Sequence, residues 1–391
     1  MVRALSMRLA FVDPIDWDYT VQTVYERPLG GSQSALCYLA ASLARKGHEL
    51  FVFNNTTTPG RYLDVQCCEL VSATSGFLGS LKLDAMVVLN SPELAAQVRA
   101  HVPNAPKLVL WSQHATDQPA VQCLADQLVR QSHDAFVFVS QWQLEQYVEQ
   151  FDIVPHKCRV LRNAIAPSFE RLFSPAERIL DAKSQPPVLA YTSTPFRGLD
   201  LLLEAFPQIR SAISEVTLKV FSCMQVYQLS AQEDESQFGQ IYDACRRTAG
   251  IEYVGGISQP RLAEQLRSVT MLTYPNTFPE TSCIAVMEAM AAGCQVVTSR
   301  LGALPETSAG FVRLVPMDSD RETYRRVFCE ACIEMLTAPT ASKPGPAVSA
   351  GKESQFVCDE EHLQRQVAFA NQSLRWDHRA GEWEIQLAAI D

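Results

Sequence analysis

TYPNTFPETSCIAVMEAMAAGCQVVTS, residues 273–299, carries an apolar strand end, a polar loop, a small-residue helix and a second apolar strand in one short run. The strand ends at Pro275, the helix is predicted to start near Thr281, and CQVVTS (294–299) forms the next strand. Strand–helix–strand units of this kind build parallel, doubly wound sheets.

Outward from this stretch the same alternation continues in both directions. PVLAYTS (187–193), GLDLLLEAFPQIRSAI (198–213), VTLKVFS (216–222), GIEYVGG (250–256), PRLAEQLRSV (260–269) and FVRLVP (311–316) complete one α/β unit. A second unit lies upstream. It contains MRLAFVD (7–13), SQSALCYLAASLARKG (32–47), ELFVFN, LDAMVVLN (83–90), KLVLWSQ (107–113), AFVFVS (135–140) and CRVLRNAI (158–165). Ser32 is the expected N-cap of the first helix, and Gly47 suits the residue beyond its end. A chain of 391 residues has the length for two such domains. The expected division is an N-terminal Rossmann-like domain at 1–170, a linker at 171–186, a C-terminal Rossmann-like domain at 187–365 and a terminal helix at 366–391. Residues 338–356, rich in Pro, Ser, Ala and Lys, read as a surface loop.

Composition narrows the partners. The net charge of −10 argues against nucleic acid, whose phosphates select basic surfaces. Residues 1–180 are nearly neutral, and the rest of the chain carries most of the acidic excess. That distribution neither supports nor excludes peripheral attachment to lipid. No run has the length of a transmembrane helix, and the apolar N-terminal stretch is too brief for a signal peptide. A cytoplasmic location is expected. The 12 cysteines are scattered through apolar runs, as reduced core residues would be. Cys329 and Cys332 share a C-x-x-C spacing but lie in RRVFCEACIEML, an amphipathic helix with no second pair to complete a metal site.

The chemistry of 273–299 follows from its helix start. A helix N-terminus offers unpaired N–H groups and a positive dipole end, which suits an anion. Thr281, Ser282 and Cys283 are placed to supply those N–H groups. Glu288 lies eight positions after Glu280, which on a helix is a rise of about 12 Å with a rotation to within about 80° of the starting direction. Two carboxylates on one side at that spacing suit paired sugar hydroxyls. Taken alone, the two carboxylates favour a capped amphipathic helix with Glu288 facing solvent, and it is the whole segment that shifts the balance.

The whole stretch resembles the retaining glycosyltransferases of family 4. These carry a Glu, seven residues and a second Glu that opens E-A-M-A-x-G before a buried strand, here Glu280 and then Glu288 with Ala289, Met290, Ala291 and Gly293. The resemblance implies an α/β protein of GT-B fold, two Rossmann-like domains facing each other across a cleft. It implies that Glu280 contacts a donor sugar, that Glu288 holds ribose hydroxyls, and that Thr281, Ser282 and Cys283 face the phosphates or sugar.

Other segments resemble the family as well. Gly30-Gly31 before a helix looks like its N-terminal substrate loop, where glycine lets a diphosphate approach the backbone. YTSTPFRGLDLLLEAF resembles the phosphate clamp, with Arg197 in the usual Lys position before Gly198. An Arg that the family carries about five residues earlier is replaced here by Thr192, Ser193 and Thr194. IEYVGGISQPRLAEQLRSV resembles the base-cradling loop, placing Gly255, Gly256 and Ile257 near the base. SLRWDHRAGEWEIQL (373–387) looks like the family's terminal helix, which crosses back onto the N-terminal domain. His114 follows a strand, as does the family's sugar-contacting His, and His133 competes for that role. Asp16-Trp17-Asp18 reads as a polar loop, with Trp17 and Tyr19 as candidates to line an acceptor pocket.

The implied activity is retaining, metal-independent hexosyl transfer from a nucleotide sugar to a hydroxyl. No cofactor or metal is expected beyond the UDP- or GDP-linked donor, itself a substrate. The acceptor class stays open among carbohydrate, lipid-linked, small-molecule and protein hydroxyls. The expected catalytic residues are Arg197, Glu280 and His114. Alternatives at this point are a phosphorylase or epimerase of the same fold, or a nucleotide-sugar-binding protein without turnover.

Overall fold

The structure, a computed structural model, describes residues 6–102, 104–338 and 358–390. The stretch expected as a surface loop at 338–356 lies outside the described residues, apart from Ala338. The described chain divides into two units. The first comprises residues 1–164, 280–282 and 375–391, and the second comprises 165–279 and 283–374.

The first unit holds an eight-stranded sheet. Its strands are β1 (Arg8–Val12), β2 (Glu49–Asn54), β3 (Gly60–Tyr62), β4 (Val65–Glu69), β5 (Ala85–Leu89), β6 (Lys107–Ser112), β7 (Ala135–Phe138) and β8 (Cys158–Val160). They lie in the order β3-β4-β2-β1-β5-β6-β7-β8, and every pair is parallel except the short β3–β4 edge. Strands buried on both faces read as unbroken apolar runs, which is why AMVVL and AFVF carry no polar alternation. The described residues of the second unit form a six-stranded, all-parallel sheet. Its strands are β9 (Val188–Tyr191), β10 (Thr217–Val220), β11 (Ile251–Tyr253), β12 (Met271–Tyr274), β13 (Gln295–Ser299) and β14 (Arg313–Val315). The order β11-β10-β9-β12-β13-β14 is the Rossmann arrangement, with its direction of winding reversed between β9 and β12.

Three local readings need correction. The helix Gly31–Arg45 is capped by Gly30, whose carbonyl accepts from Ser34 N at 2.8 Å, so Ser32 lies inside the first turn rather than at the cap. Gly47 does take the left-handed conformation beyond the helix, at φ +96°. The strand expected at 158–165 stops at Val160, because its partner β7 ends at Phe138 and Ser140 already caps the next helix. The helix expected from Thr281 begins at Ile284 with Cys283 as its cap. Thr281 instead turns its hydroxyl to the Gln113 carbonyl at 2.8 Å.

The C-terminal helix Trp376–Ala388 belongs to the first unit. Trp383 is fully buried there, 5.1 Å from Trp111 in an edge-to-face pair and 6.2 Å from Phe11. Trp376 packs against Tyr38 of the helix Gly31–Arg45 at 6.2 Å. The terminal helix therefore supplies core to the unit that the chain left some two hundred residues earlier. Trp383→Ala is expected to destabilise the first unit by about 3–5 kcal/mol, read as a lowered midpoint in denaturant unfolding followed by tryptophan fluorescence.

Candidate active site

The loop after β9 holds Arg197 at the switch point of the second sheet. Tyr191 OH donates to Thr194 O at 2.7 Å, and Arg197 N donates to the same carbonyl at 3.2 Å, so Thr192–Arg197 is a tight turn. Gly198 follows at φ +100°, where a Cβ would lie 2.1 Å from Pro275 O in the loop after β12. Only glycine allows that approach. The Arg197 guanidinium lies over the Phe278 ring at 4.5 Å and the Phe196 ring at 5.6 Å, and its Nη2 donates to Tyr227 OH at 3.3 Å. Where the family pattern has a further cation, Thr192 Oγ1 and Thr194 Oγ1 are buried without a protein hydrogen-bond partner.

The loop after β11 is built on aromatic rings. Gly255 takes φ +77°, and the ring of Tyr253 approaches its Cβ position at 3.9 Å. Tyr253 stacks on Tyr242 at 4.8 Å and 28°, carries Arg246 over its face at 4.9 Å, and donates through its OH to Ser222 O. Gly256 is exposed and Ile257 half-buried on this floor.

Glu288 sits on the helix Ile284–Ala291, 3% exposed. The solvent-facing reading of this carboxylate is therefore excluded. It accepts from Ala166 N at 3.2 Å and from the Gln259 side chain. Burial pushes its pKa up to about 8 against these two bonds. Glu280 lies outside this helix, so the shared helical face that seemed to pair it with Glu288 does not exist. The first-turn N–H groups belong to Ile284, Ala285 and Val286, with Cys283 at the cap.

Glu280, Thr281 and Ser282 fall in the first unit, with Gly30, Gly31 and His114. Gly30 is buried, and a Cβ there would meet Gln33 Oε1 at 2.9 Å and the Trp17 ring at 3.0 Å. The His114 carbonyl accepts from Gln143 Nε2 at 2.7 Å and Tyr147 OH at 2.9 Å, which fixes the backbone after β6. Burial lowers the pKa of its ring, and Nδ1 is buried without a partner. His133 is a core residue instead. Its Nδ1 meets Val129 O at 2.9 Å, its ring packs on Phe136 at 5.0 Å, and burial lowers its pKa to about 4.

Other candidates prove structural. Asp18 accepts from Thr57 N and Thr57 Oγ1, stapling two loops as the polar-loop reading expects. Tyr19 is buried with its OH on Asp13 at 2.7 Å, so only Trp17 of that aromatic pair reaches the surface. Cys329 and Cys332 are buried free thiols. Sequence reasoning missed Asp13, which accepts from Tyr19 OH and, at 3.0 Å, from Gln33 Nε2 in the first turn after Gly30. The Asp13-Pro14 pair signalled only a strand end. Gln113 and Asn163, joined at 2.9 Å, were also missed, because a lone amide has no sequence signature.

The description "Glycosyl transferases group 1" matches residues 186–334. This stretch is a group 1 glycosyl transferase domain. It contains Arg197, the glycine loop, Glu280 and Glu288 together. The lipopolysaccharide 1,2-N-acetylglucosaminetransferase of Salmonella typhimurium is 27% identical over 249 residues, which cover 61% of this chain and 61% of that enzyme. The phosphatidyl-myo-inositol mannosyltransferase of Mycolicibacterium smegmatis is 23% identical over 345 residues, covering 80% and 81%. The crystal structure of Anabaena HepE in complex with UDP-glucose superimposes with a TM-score of 0.68 at 14% identity, covering 98% of this chain and all of that one. The fold is thus that of the GT-B glycosyltransferases.

Within this domain the Glu288 carboxyl has a defined thermodynamic signature. Its folded pKa lies above its ordinary 4.5, so between pH 4.5 and about 8 the folded chain keeps a proton that the unfolded chain releases. The stability it contributes is full below that window, is lost as pH rises through it, and levels off above. The unfolding free energy of the wild type relative to Glu288→Gln is expected to fall across the window by up to about 1.4 kcal/mol per pH unit. Urea unfolding of both proteins at a series of pH values measures the difference.

Proposed function

We propose that this chain is a retaining, metal-independent glycosyltransferase that moves a hexose from a UDP- or GDP-linked donor to a hydroxyl acceptor. The observation that carries the reading is topological. Arg197 follows β9, Gly256 follows β11 and Glu288 follows β12, all at carboxyl ends of one parallel sheet, with the first and last on either side of its switch point. Open α/β sheets bind their ligands at that place.

In this reading Gly256 and Ile257 border the base, and Glu288 takes the ribose hydroxyls. Arg197 grips the diphosphate as a two-pronged donor and offsets the charge that grows as the diphosphate leaves. The N-terminus of the helix Ile284–Ala291 adds its dipole to the same end, with Cys283 at its cap. Glu280, Thr281, Ser282 and His114 serve the donor sugar, and Gly30 and Gly31 let substrate approach the backbone. Retention without an evident covalent nucleophile implies front-face attack, in which the acceptor oxygen bonds the anomeric carbon as the diphosphate oxygen departs and takes the acceptor proton. Residues 1–170 serve the acceptor and 187–365 the donor, and the segment 366–391 carries the terminal helix Trp376–Ala388. The relatives' names, one a lipopolysaccharide enzyme and one a phosphatidyl-myo-inositol enzyme, support a carbohydrate or lipid-linked acceptor. No helix among the described residues is long and apolar enough to cross a membrane. A cytoplasmic enzyme that meets such an acceptor at the membrane surface accords with both points.

The test is binding and turnover with UDP-, GDP- and ADP-sugars in EDTA. A donor at about 100 times its dissociation constant should stabilise the wild type by about 2.7 kcal/mol, and Glu288→Ala should lose most of that shift. Transfer that requires added manganese would overturn metal independence, and binding without transfer or donor hydrolysis would leave a nucleotide-sugar-binding protein. Arg197→Ala is expected to lower kcat about 100- to 1,000-fold. Arg197→Lys should recover part of this loss, because an ammonium supplies charge without the fork.

A further inference from the structure

At the carboxyl edge of the first sheet, two amide side chains are joined to each other and left incomplete. Gln113 directly follows β6. Its N–H donates to Asn90 Oδ1 at 2.7 Å, and its carbonyl accepts from Thr281 Oγ1 at 2.8 Å, so its backbone is held from two sides. Asn163, 1% exposed, donates through Nδ2 to Gln113 Oε1 at 2.9 Å, and its own carbonyl accepts from Arg379 Nε at 3.4 Å. What remains is Gln113 Nε2 and Asn163 Oδ1, both buried and both without a partner. Two neighbouring residues leave further buried atoms in the same state, His114 Nδ1 and Ser282 Oγ.

Buried polar atoms in native proteins are nearly always satisfied, and leaving one open costs free energy comparable to a lost hydrogen bond. Four such atoms on consecutive or directly bonded residues therefore call for an occupant. The open functions of the amide pair are one donor and one acceptor. A phosphate would satisfy only the donor, and an ammonium only the acceptor. A hydroxyl satisfies both, since its oxygen accepts while its proton is given away.

We propose that Gln113 and Asn163 form a recognition pair for one hydroxyl of the transferred sugar, which accepts from Gln113 Nε2 and donates to Asn163 Oδ1. This inference rests on the glycosyltransferase reading, in which His114, Thr281 and Ser282 lie at the donor sugar. It adds to that reading a specificity determinant outside the matched domain. The site selects for a hydroxyl over a deoxy or fluoro carbon at one ring position, because a fluorine cannot donate and a C–H can do neither. Rejection by an unpaired buried amide is stronger than rejection by shape alone.

The experiment is a substrate-side double cycle on the full chain. Donor kcat/KM is measured for wild type, Gln113→Met and Gln113→Glu, with UDP-glucose or GDP-mannose, whichever the wild type turns over, and with its monodeoxy forms. Gln113→Glu keeps an acceptor for Asn163 Nδ2 and, when ionised, exchanges the donor for a negative charge, so it complements Gln113→Met, which removes both functions without adding charge. The wild type should lose about 10- to 100-fold on one deoxy position and little on the others. Both variants should lose a similar factor on the parent sugar and nothing further on that deoxy form, while their affinity for UDP or GDP alone stays within twofold. A deoxy profile that is the same in variants and wild type overturns the proposal and assigns the open atoms to water. Loss of nucleoside diphosphate affinity in both variants also overturns it, by making the pair structural. A wild type that turns over its donor in either of these cases leaves the glycosyltransferase reading intact, whereas a wild type that binds neither UDP-glucose nor GDP-mannose overturns both.

Discussion

Between Gly198 and Pro275 the backbone comes closer than any side chain would permit. A Cβ at Gly198 would sit 2.1 Å from the Pro275 carbonyl, and the φ of +100° is one that L side chains rarely adopt. The contact draws together the loops that follow β9 and β12, the two strands on either side of the reversal in winding. Several features of the second unit depend on it. Phe278, three residues beyond Pro275, comes within 4.5 Å of the Arg197 guanidinium and lies edge-on to Phe196. The guanidinium is thus held against flat aromatic faces, with Tyr227 at one end. A planar cation stacked in this way keeps its charge and loses little freedom when it meets an anion.

The second unit departs elsewhere from what stability alone would favour. Glu288 is a carboxyl buried on a helix of small apolar residues, where burial disfavours its ionised form enough to lift its pKa to about 8. An alanine or methionine would pack there without that cost. Two groups soften the burial, the Ala166 N–H and the Gln259 side chain, and Gln259 has its own Oε1 buried without a partner. The first unit repeats the pattern with Gln113 and Asn163. In both units some buried polar atoms without a partner lie on residues that follow strands, Gln113 and His114 in the first and Thr192 and Thr194 in the second.

Much of this was legible in the order of the residues. Alternating apolar strands and helices specify a doubly wound sheet whichever exact boundaries they take, because only crossovers can join parallel strands. The spacing from Glu280 to Glu288 and the small residues after it marked the right stretch. The geometry first attached to that spacing was wrong, since a helix period says nothing about where the helix starts. Thr281 satisfies its hydroxyl on Gln113 O, a partner 168 residues away in sequence, and no local propensity anticipates such a bond. Ser32 lost the cap to Gly30 for a related reason. Serine is the better cap in isolation, but Gln33 in the first turn is tied to Asp13, and the space over Gly30 is taken by Trp17. The place after a strand favoured His114 over His133, and their partners in the fold separate them further.

The replacement of a cation by Thr192, Ser193 and Thr194 follows from the same geometry. A second guanidinium a few residues from Arg197 would add a like charge to a loop whose described contacts with Arg197 are aromatic and hydroxylic. Like charges in a partly desolvated loop repel strongly, since low dielectric strengthens every pairwise term. Hydroxyl groups avoid that penalty, as they can turn toward an anion when it is present and toward the backbone when it is not. Thr192 Oγ1 and Thr194 Oγ1 are buried and without protein partners. The loop gives up the long-range attraction of a second charge and keeps a single fixed cation with orientable dipoles around it. The position of that one cation therefore depends on how firmly Phe278 and Tyr227 hold it, which returns the burden to the close approach at Gly198.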